Sequence, residues 1–149
     1  MMIALLLLLC ATGVFLLWRT PGCPASPVEH STQRISVIIP ARNEARNLPA
    51  LLQSLAGQQP AAHEIIVVDD ASTDDTVAIA RRHGARVIQP PALAAGWRGK
   101  TWACHHGAAA AEGECLLFLD ADTRLRPHAL GRMLAACRPP CRVLSLGPF

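Results

Sequence analysis

Four short apolar runs, the first three of which contain β-branched residues, constrain the fold of this chain more than any other feature. Each run is too short for a typical helix and is bounded by turn-forming or acidic residues, a pattern typical of buried strands. The predicted strands cover residues 35–40, 64–70, 85–89 and 114–120. Residues 142–146, "RVLSL", could begin a fifth strand.

The segments between these runs carry apolar or small residues at the spacing of a helix. The predicted helices cover residues 48–55, 72–84 and 101–112, and Pro127 opens a fourth. Ser72 is expected to cap the second helix. Because strands and helices alternate, the sequence predicts an α/β fold, with a mostly parallel sheet and helices on both faces.

Polar residues gather where three of the predicted strands end. The first strand runs into "PARNE", the second ends at Asp69 and Asp70, and the fourth ends at Asp120 and Asp122. Ligands of open parallel sheets bind outside the carboxyl ends of the strands. The sequence therefore predicts a ligand site at this edge, built from three separate parts of the chain.

The pair Asp120 and Asp122, at the end of "LLFLDAD", is the strongest candidate for chemistry. Two carboxylates one residue apart repel each other unless a cation or hydrogen-bond donors lie between them. Oxygen ligands suit Mg²⁺ or Mn²⁺, and Mg²⁺ commonly binds one or two carboxylates together with substrate phosphates. Asp74 and Asp75 are instead interpreted as turn or helix-capping residues.

Composition excludes several classes of function. The net charge is +3, from 14 basic and 11 acidic residues, and no basic run occurs, so a nucleic-acid partner is not expected. The six cysteines form no CxxC pair, which favours reduced, buried thiols over a metal site or a disulfide framework. The chain contains no GxGxxG or Walker-type loop, so neither a dinucleotide site nor a P-loop is expected.

The N-terminus carries an apolar stretch long enough to cross a membrane. Residues 1–18 contain no charged side chain, and Arg19 follows them. This favours an uncleaved transmembrane anchor over residues 1–19, with the rest of the chain in the cytoplasm and the protein at the cell membrane. A cleaved signal peptide and a buried helix are the alternatives. Residues 20–33 are interpreted as a linker, and residues 34–149 as the folded domain.

Three motifs of the domain resemble, in order and spacing, the N-terminal half of family 2 glycosyltransferases with the GT-A fold. They are "SVIIPARNEARNLPALLQSL", "EIIVVDDASTDDT" and "LLFLDAD", and the resemblance covers residues 35–147. The segment "GWRGKTWACHHG", residues 96–107, is similar to the membrane-associated glycosyltransferases of carotenoid and hopanoid biosynthesis. The resemblance implies a UDP-sugar or similar donor, a lipid-like acceptor, Mn²⁺ or Mg²⁺, and transfer with inversion.

The resemblance also implies roles for individual residues. The residues that it places around the donor nucleotide are Pro40, Ala41, Glu44, Asp69, Asp70, Lys100 and Asp120. Asp70 matches the residue that contacts uracil or ribose, and Lys100 suits the charge of the diphosphate. Asp120 matches the position that reaches ribose or metal, and Asp122 matches the metal ligand.

A catalytic base is not among these residues. In the family that the chain resembles, an Asp or Glu well beyond the metal-binding aspartates deprotonates the acceptor. No Asp or Glu follows Asp122, so we expect the base beyond Phe149 and interpret the chain as the donor-binding half of the domain, truncated at its C-terminus. Two alternatives remain. One is an inactive, membrane-anchored remnant, and the other is a nucleotidyltransferase-like domain, which would require a Gly-rich loop after the first strand.

Overall fold

A computed structural model of the protein describes residues 33–136. These residues form four strands and four helices that alternate along the chain. In order, the elements are β1 (Ile35–Ala41), α1 (Leu48–Ala56), β2 (Glu64–Asp69), α2 (Thr76–Arg82), β3 (Arg86–Ile88), α3 (Gly99–Ala110), β4 (Cys115–Phe118) and α4 (Ala129–Ala136). The predicted alternation is confirmed over this range.

The four strands form one parallel sheet in the order β3-β2-β1-β4. β1 lies between β2 and β4, and its Ile38 is opposite Ile66 on one side and Phe118 on the other. Ala41 is opposite Asp69, so β1 and β2 end at the same level. The polar residues that follow these strands therefore lie along one edge of the sheet.

Each face of the sheet has its own core. On one face, Val37 and Ile39 pack with the leucines of α1 and with Leu130 and Leu134 of α4. The α1 leucines recur at i, i+3, i+4 and i+7 and are at most 2% exposed. Burial of one such side chain contributes about 1.5–3 kcal/mol, which fixes α1 against the sheet.

The opposite face is covered by α3 alone among the described helices. Ile38, Ile66 and Val68 pack there against Ala103. Gly107 lets the helix approach closely, because a Cβ at this position would lie 3.0 Å from Cγ2 of Val68 and closer still to Cγ2 of Ile38. With helices on this face and on the other, the predicted arrangement is confirmed.

Several predicted boundaries were wrong by a few residues. The second helix begins at Thr76 and not at Ser72, while α3 runs from Gly99 to Ala110 and not from 101 to 112. Of the cysteines, Cys104 and Cys115 are free but only half-buried. The predicted anchor, nearly all of the linker and the possible strand at 142–146 lie outside the described residues. Within residues 33–136, no helix has the length and apolar character to cross a membrane.

Candidate active site

The loop after β1 and the loop after β2 are joined by reciprocal hydrogen bonds. The backbone N–H of Asn43 donates to Oγ of Ser72 at 2.9 Å, and the backbone N–H of Thr73 donates to Oδ1 of Asn43 at 2.8 Å. Asn43 has a φ of +56°, a conformation that Asn adopts more readily than most residues. Ser72 therefore connects the two loops, and the prediction that it caps α2 was wrong.

A second set of hydrogen bonds continues this connection. The N–H of Glu44 donates to Oγ1 of buried Thr76 at 2.8 Å, and the N–H of Ala45 donates to Oδ2 of Asp74 at 3.0 Å. The other Asp74 oxygen accepts from the hydroxyl and, at 3.0 Å, from the N–H of Thr76. The Thr76 hydroxyl is the main reason that the pKa of Asp74 lies below its usual value. The structural interpretation of Asp74 is confirmed.

Asp69 is buried in the last position of β2, with only 1% of its surface exposed. Its Oδ1 accepts the N–H of Ser72 at 3.2 Å, and its Oδ2 accepts from Nε2 of Gln89 at 3.1 Å. The sequence did not single out Gln89, since one polar residue after a short strand carries no signal. Asp69 belongs to the predicted site, but its carboxylate is already engaged by the protein.

Asp70 connects three elements at the edge of the sheet. Its N–H donates to the carbonyl of Ala41 at 2.9 Å, and its Oδ2 lies 3.6 Å from Nη1 of Arg42. The same oxygen lies against Gly99, where a Cβ would be only 2.8 Å away. A glycine at the first position of α3 thus allows Asp70 to approach the start of this helix.

Lys100 and Asp120, both predicted donor-binding residues, form an ion pair. Nζ of Lys100 lies 2.6 Å from Oδ1 of Asp120, and both side chains are more than half exposed. The hydrogen bond to Asp120 is the main cause of the raised pKa of Lys100. The start of α3 and the end of β4 therefore meet through opposite charges.

Asp120 and Asp122 share the solvent-exposed side of the segment after β4. Leu119 and Ala121 are buried, whereas the two aspartates that alternate with them are exposed. The N–H of Leu119 donates to the carbonyl of Ile38 at 3.0 Å, which extends the pairing of β4 with β1. Within residues 33–136, the Asp122 carboxylate has no hydrogen-bond or ion-pair partner, so it is available to a ligand.

The carboxylate oxygens at the end of β4 fit a hard divalent cation that takes its remaining ligands from a substrate. Asp120 and Asp122 supply exposed carboxylate oxygens, and one or two carboxylates with phosphate oxygens suffice for Mg²⁺. The part of the chain that the structure describes contains no group of three or more metal-ligating side chains. A protein-only metal site is therefore not present in this range, and the ligand would have to complete the coordination.

A cleft of about 350 Å³ opens beside Asp69 and Asp70, between the ends of β2 and β3. Asp69 and Asp70 line one side, and Gln89, Pro90 and Pro91 line the other. Nε1 of Trp102, on α3, donates to the carbonyl of Pro91 at 2.9 Å and holds that wall in place. The cleft lies where parallel sheets of this kind bind ligands.

Three further predicted residues lie at the end of β1 and in the loop that follows it. Pro40 is half-buried and Ala41 is 4% exposed, both within β1. Oε2 of Glu44 accepts a hydrogen bond from Nδ2 of Asn47 at 2.8 Å, at the start of α1. Their contact with a nucleotide stays a prediction.

The family model for glycosyl transferase family 2 matches residues 36–147, most of the chain. The chain belongs to glycosyl transferase family 2.

Curated members of the family are similar in sequence. The 4,4'-diaponeurosporenoate glycosyltransferase of Staphylococcus haemolyticus is 50% identical over 103 residues, which cover 67% of this chain and 27% of that protein. The enzyme of the same name from Staphylococcus aureus is 36% identical over 126 residues, which cover 83% of this chain and 33% of that protein. The chain thus spans about a third or less of the length of these family 2 relatives.

Solved structures confirm the fold. Glucosyl-3-phosphoglycerate synthase from Mycobacterium tuberculosis, in complex with Mn²⁺, UDP and glucosyl-3-phosphoglycerate, matches with a TM-score of 0.57 and 31% identity. The match covers 72% of this chain and 41% of that protein. S. aureus TarS 1-349 matches with a TM-score of 0.59 and 32% identity, over 70% of this chain and 32% of its own. The expected GT-A-like parallel α/β fold is therefore confirmed for the described domain.

Proposed function

We propose that this family 2 protein is a metal-dependent, inverting glycosyltransferase. Its donor is a UDP-sugar, and its acceptor is the hydroxyl or carboxyl of a lipid-like molecule of the carotenoid-acid type. The observation that carries the proposal is the gathering of Asp70, Lys100, Asp120 and Asp122 at one edge of the sheet. Relatives named for 4,4'-diaponeurosporenoate support the acceptor class, and a family neighbour bound to UDP and Mn²⁺ supports the donor.

The charges at the edge suit a nucleoside diphosphate. Lys100 carries a raised pKa and is protonated at neutral pH, so it offers a positive charge to the diphosphate. Because its side chain is more than half exposed, the ammonium can leave Asp120 to make this contact. Asp70 is 31% exposed and lines the cleft, which supports a role as hydrogen-bond acceptor for the nucleoside. Asp122, with Asp120 beside it, would hold a Mn²⁺ or Mg²⁺ ion, and such an ion would supply positive charge to stabilise the diphosphate as it departs.

The acceptor half of the reaction requires a base. A carboxylate beyond Phe149 is proposed to take the proton of the acceptor hydroxyl as its oxygen attacks the anomeric carbon; a carboxyl group attacks as its anion. Attack from the face opposite the diphosphate inverts the anomeric centre. Membership of glycosyl transferase family 2 does not favour the nucleotidyltransferase alternative. The retained carboxylates at the strand ends do not favour an inactive remnant.

A membrane location accompanies this proposal. Residues 1–18 would anchor the protein in the cell membrane, with the domain in the cytoplasm beside its apolar acceptor. We expect the protein to stay with membranes after a high-salt wash and to retain Met1 or Met2 at its N-terminus. N-terminal sequencing of the membrane and soluble fractions tests this, and a soluble product that begins near Pro24 would refute it.

Calorimetric titration of UDP with and without Mn²⁺ tests the donor site. Asp122→Asn should abolish the gain in UDP affinity that Mn²⁺ provides. UDP binding measured with Mn²⁺ should therefore weaken about tenfold or more, because a contact between charged groups contributes roughly 1.5–3 kcal/mol. Asp75→Asn is the matched control, since Asp75 is also exposed but lies at the start of α2. Equal metal-dependent binding in the wild type and Asp122→Asn would remove Asp122 from the site.

A further inference from the structure

The amide of Gln89 has a defined orientation, because its partner can only accept hydrogen bonds. Oδ2 of Asp69 lies 3.1 Å from Nε2 of Gln89. A carboxylate oxygen offers lone pairs and no proton, so the group that faces it must be the NH₂ of the amide. Oε1 of Gln89 therefore points away from Asp69.

The carboxylate that orients the amide is itself fixed. Asp69 is 1% exposed, and its second oxygen accepts the N–H of Ser72 at 3.2 Å. Ser72 in turn accepts from the backbone of Asn43, so the loops after β1 and β2 hold this carboxylate in place. An amide bound to such a group keeps one orientation and presents one polar atom to a ligand.

Oε1 of Gln89 is an acceptor on the wall of the cleft. Gln89 is exposed and lines the cleft of about 350 Å³ opposite Asp70, with Pro90 and Pro91 beside it. No residue in 33–136 donates a hydrogen bond to this oxygen. A fixed, uncharged acceptor in a cleft partly lined by proline suits a flat ligand with one N–H on its edge.

We infer that Gln89, oriented by Asp69, selects a uracil base by accepting the hydrogen bond of its N3–H. Gln89 is then a specificity-determining residue of the proposed donor site, and Asp69 is a positioning residue that does not touch the nucleotide. Cytosine and adenine present a ring nitrogen acceptor at the equivalent edge, which would face Oε1 lone pair to lone pair. Guanine, like uracil, presents a ring N–H, so this contact distinguishes uracil from cytosine and adenine and not from guanine. The inference rests on the proposed function, since it assigns the base of the same donor.

Binding of UDP, CDP, ADP and GDP to the full chain in detergent, measured by calorimetry with Mn²⁺, tests the inference. The wild type should bind UDP more tightly than CDP and ADP. Gln89→Leu should weaken UDP binding by about threefold to tenfold, the size of one hydrogen bond, and leave CDP binding unchanged or stronger. Gln53→Leu, at an exposed position on α1 far along the chain, is the matched control and should change neither.

A second variant separates orientation from contact. Asp69→Asn keeps the shape of the side chain but allows Gln89 to turn its amide, because Asn can donate as well as accept. We expect the preference for UDP over CDP to fall at least threefold while the variant still binds nucleotide. An unchanged preference in both Gln89→Leu and Asp69→Asn, with UDP still bound, would overturn this inference and leave the proposed function standing. If the wild type binds none of the four nucleotides, both this inference and the proposed function are overturned.

Discussion

Asp69, at the end of β2, is 1% exposed and accepts two hydrogen bonds, whereas Asp122, just after β4, is exposed and accepts none within residues 33–136. Both belong to aspartate pairs at the same edge of one parallel sheet. The β2 pair is built into a loop network that also contains Asn43, Ser72 and Thr76. The β4 pair has one described partner, the ammonium of Lys100.

The difference separates two tasks that the same residue type performs. A carboxylate that is buried and fully hydrogen-bonded holds other groups in place, and its removal leaves their donors without partners. A carboxylate that is exposed and nearly free costs little to maintain and can be taken over by a ligand. We therefore expect mutations at the end of β2 to lower stability, and mutations at the end of β4 to lower binding.

The largest difference is expected between Asp69→Ala and Asp122→Ala. Asp69→Ala should lower the free energy of unfolding by about 2 kcal/mol, because the N–H of Ser72 and the amide of Gln89 lose the buried carboxylate that accepts their hydrogen bonds. Asp122→Ala should change it by less than about 0.5 kcal/mol, as is usual for surface positions. Urea denaturation followed by circular dichroism measures both. Equal losses of unfolding free energy in the two variants would contradict the distinction between the two aspartates.

A smaller effect is expected from Thr76→Val, which keeps the shape of the side chain and removes the hydroxyl. The N–H of Glu44 then lacks its acceptor, and we expect a loss of about 1 kcal/mol at neutral pH. The wild type should also lose stability in acid. The pKa of Asp74 is depressed in the folded state, so its contribution is present above the ordinary value of about 4 and is lost as pH falls through the folded value.

Denaturation at a series of pH values checks the second part. Because the Thr76 hydroxyl is the main cause of the low pKa of Asp74, the stability of Thr76→Val should fall less steeply below about pH 4 than that of the wild type. Parallel pH curves for the two proteins would show that Asp74 is held by other groups.

Lys100→Met is expected to have the smallest effect on stability. The ion pair with Asp120 is more than half exposed, and such pairs typically contribute between 0 and about 1 kcal/mol and weaken in salt. UDP binding, by contrast, should weaken by about tenfold, because a charged contact to the diphosphate is lost. Denaturation at low and high salt, together with calorimetry, measures both, and a large loss of stability with unchanged binding would place Lys100 in the fold alone.

Much of the fold could be predicted from the sequence, because burial on both sides leaves a strong pattern. The runs "ISVIIP" and "EIIVVDD" are apolar apart from Ser36 and the acidic residues at the ends of the second run, as expected for strands covered on both faces. Their order also predicted that Asp70 and Asp120 would lie along one edge, and the resemblance added Lys100; the structure places Asp70 against Gly99 and pairs the neighbouring Lys100 with Asp120.

The missed features depend on contacts between distant residues. Ser72 has the sequence signature of a helix cap, yet its hydroxyl binds Asn43, 29 positions away, and α2 starts four residues later. Gln89 acquires its role only because β3 lies beside β2 and brings it to Asp69, 20 positions away. No local pattern contains either partner, so the propensity of one segment could not reveal these contacts.

The close approach of α3 to the sheet links a residue of the core to the position of Lys100 at the site. Gly107 contacts Ile38 and Val68 in the core, and Lys100 lies about two turns, or about 10 Å, nearer the start of the same helix. If a larger side chain pushes α3 away from the sheet at this position, the angle between the helix and the sheet changes. Gly107→Ala, which adds one methyl group, would therefore change the distance between the Lys100 ammonium and Asp120 without altering any residue at the edge of the sheet.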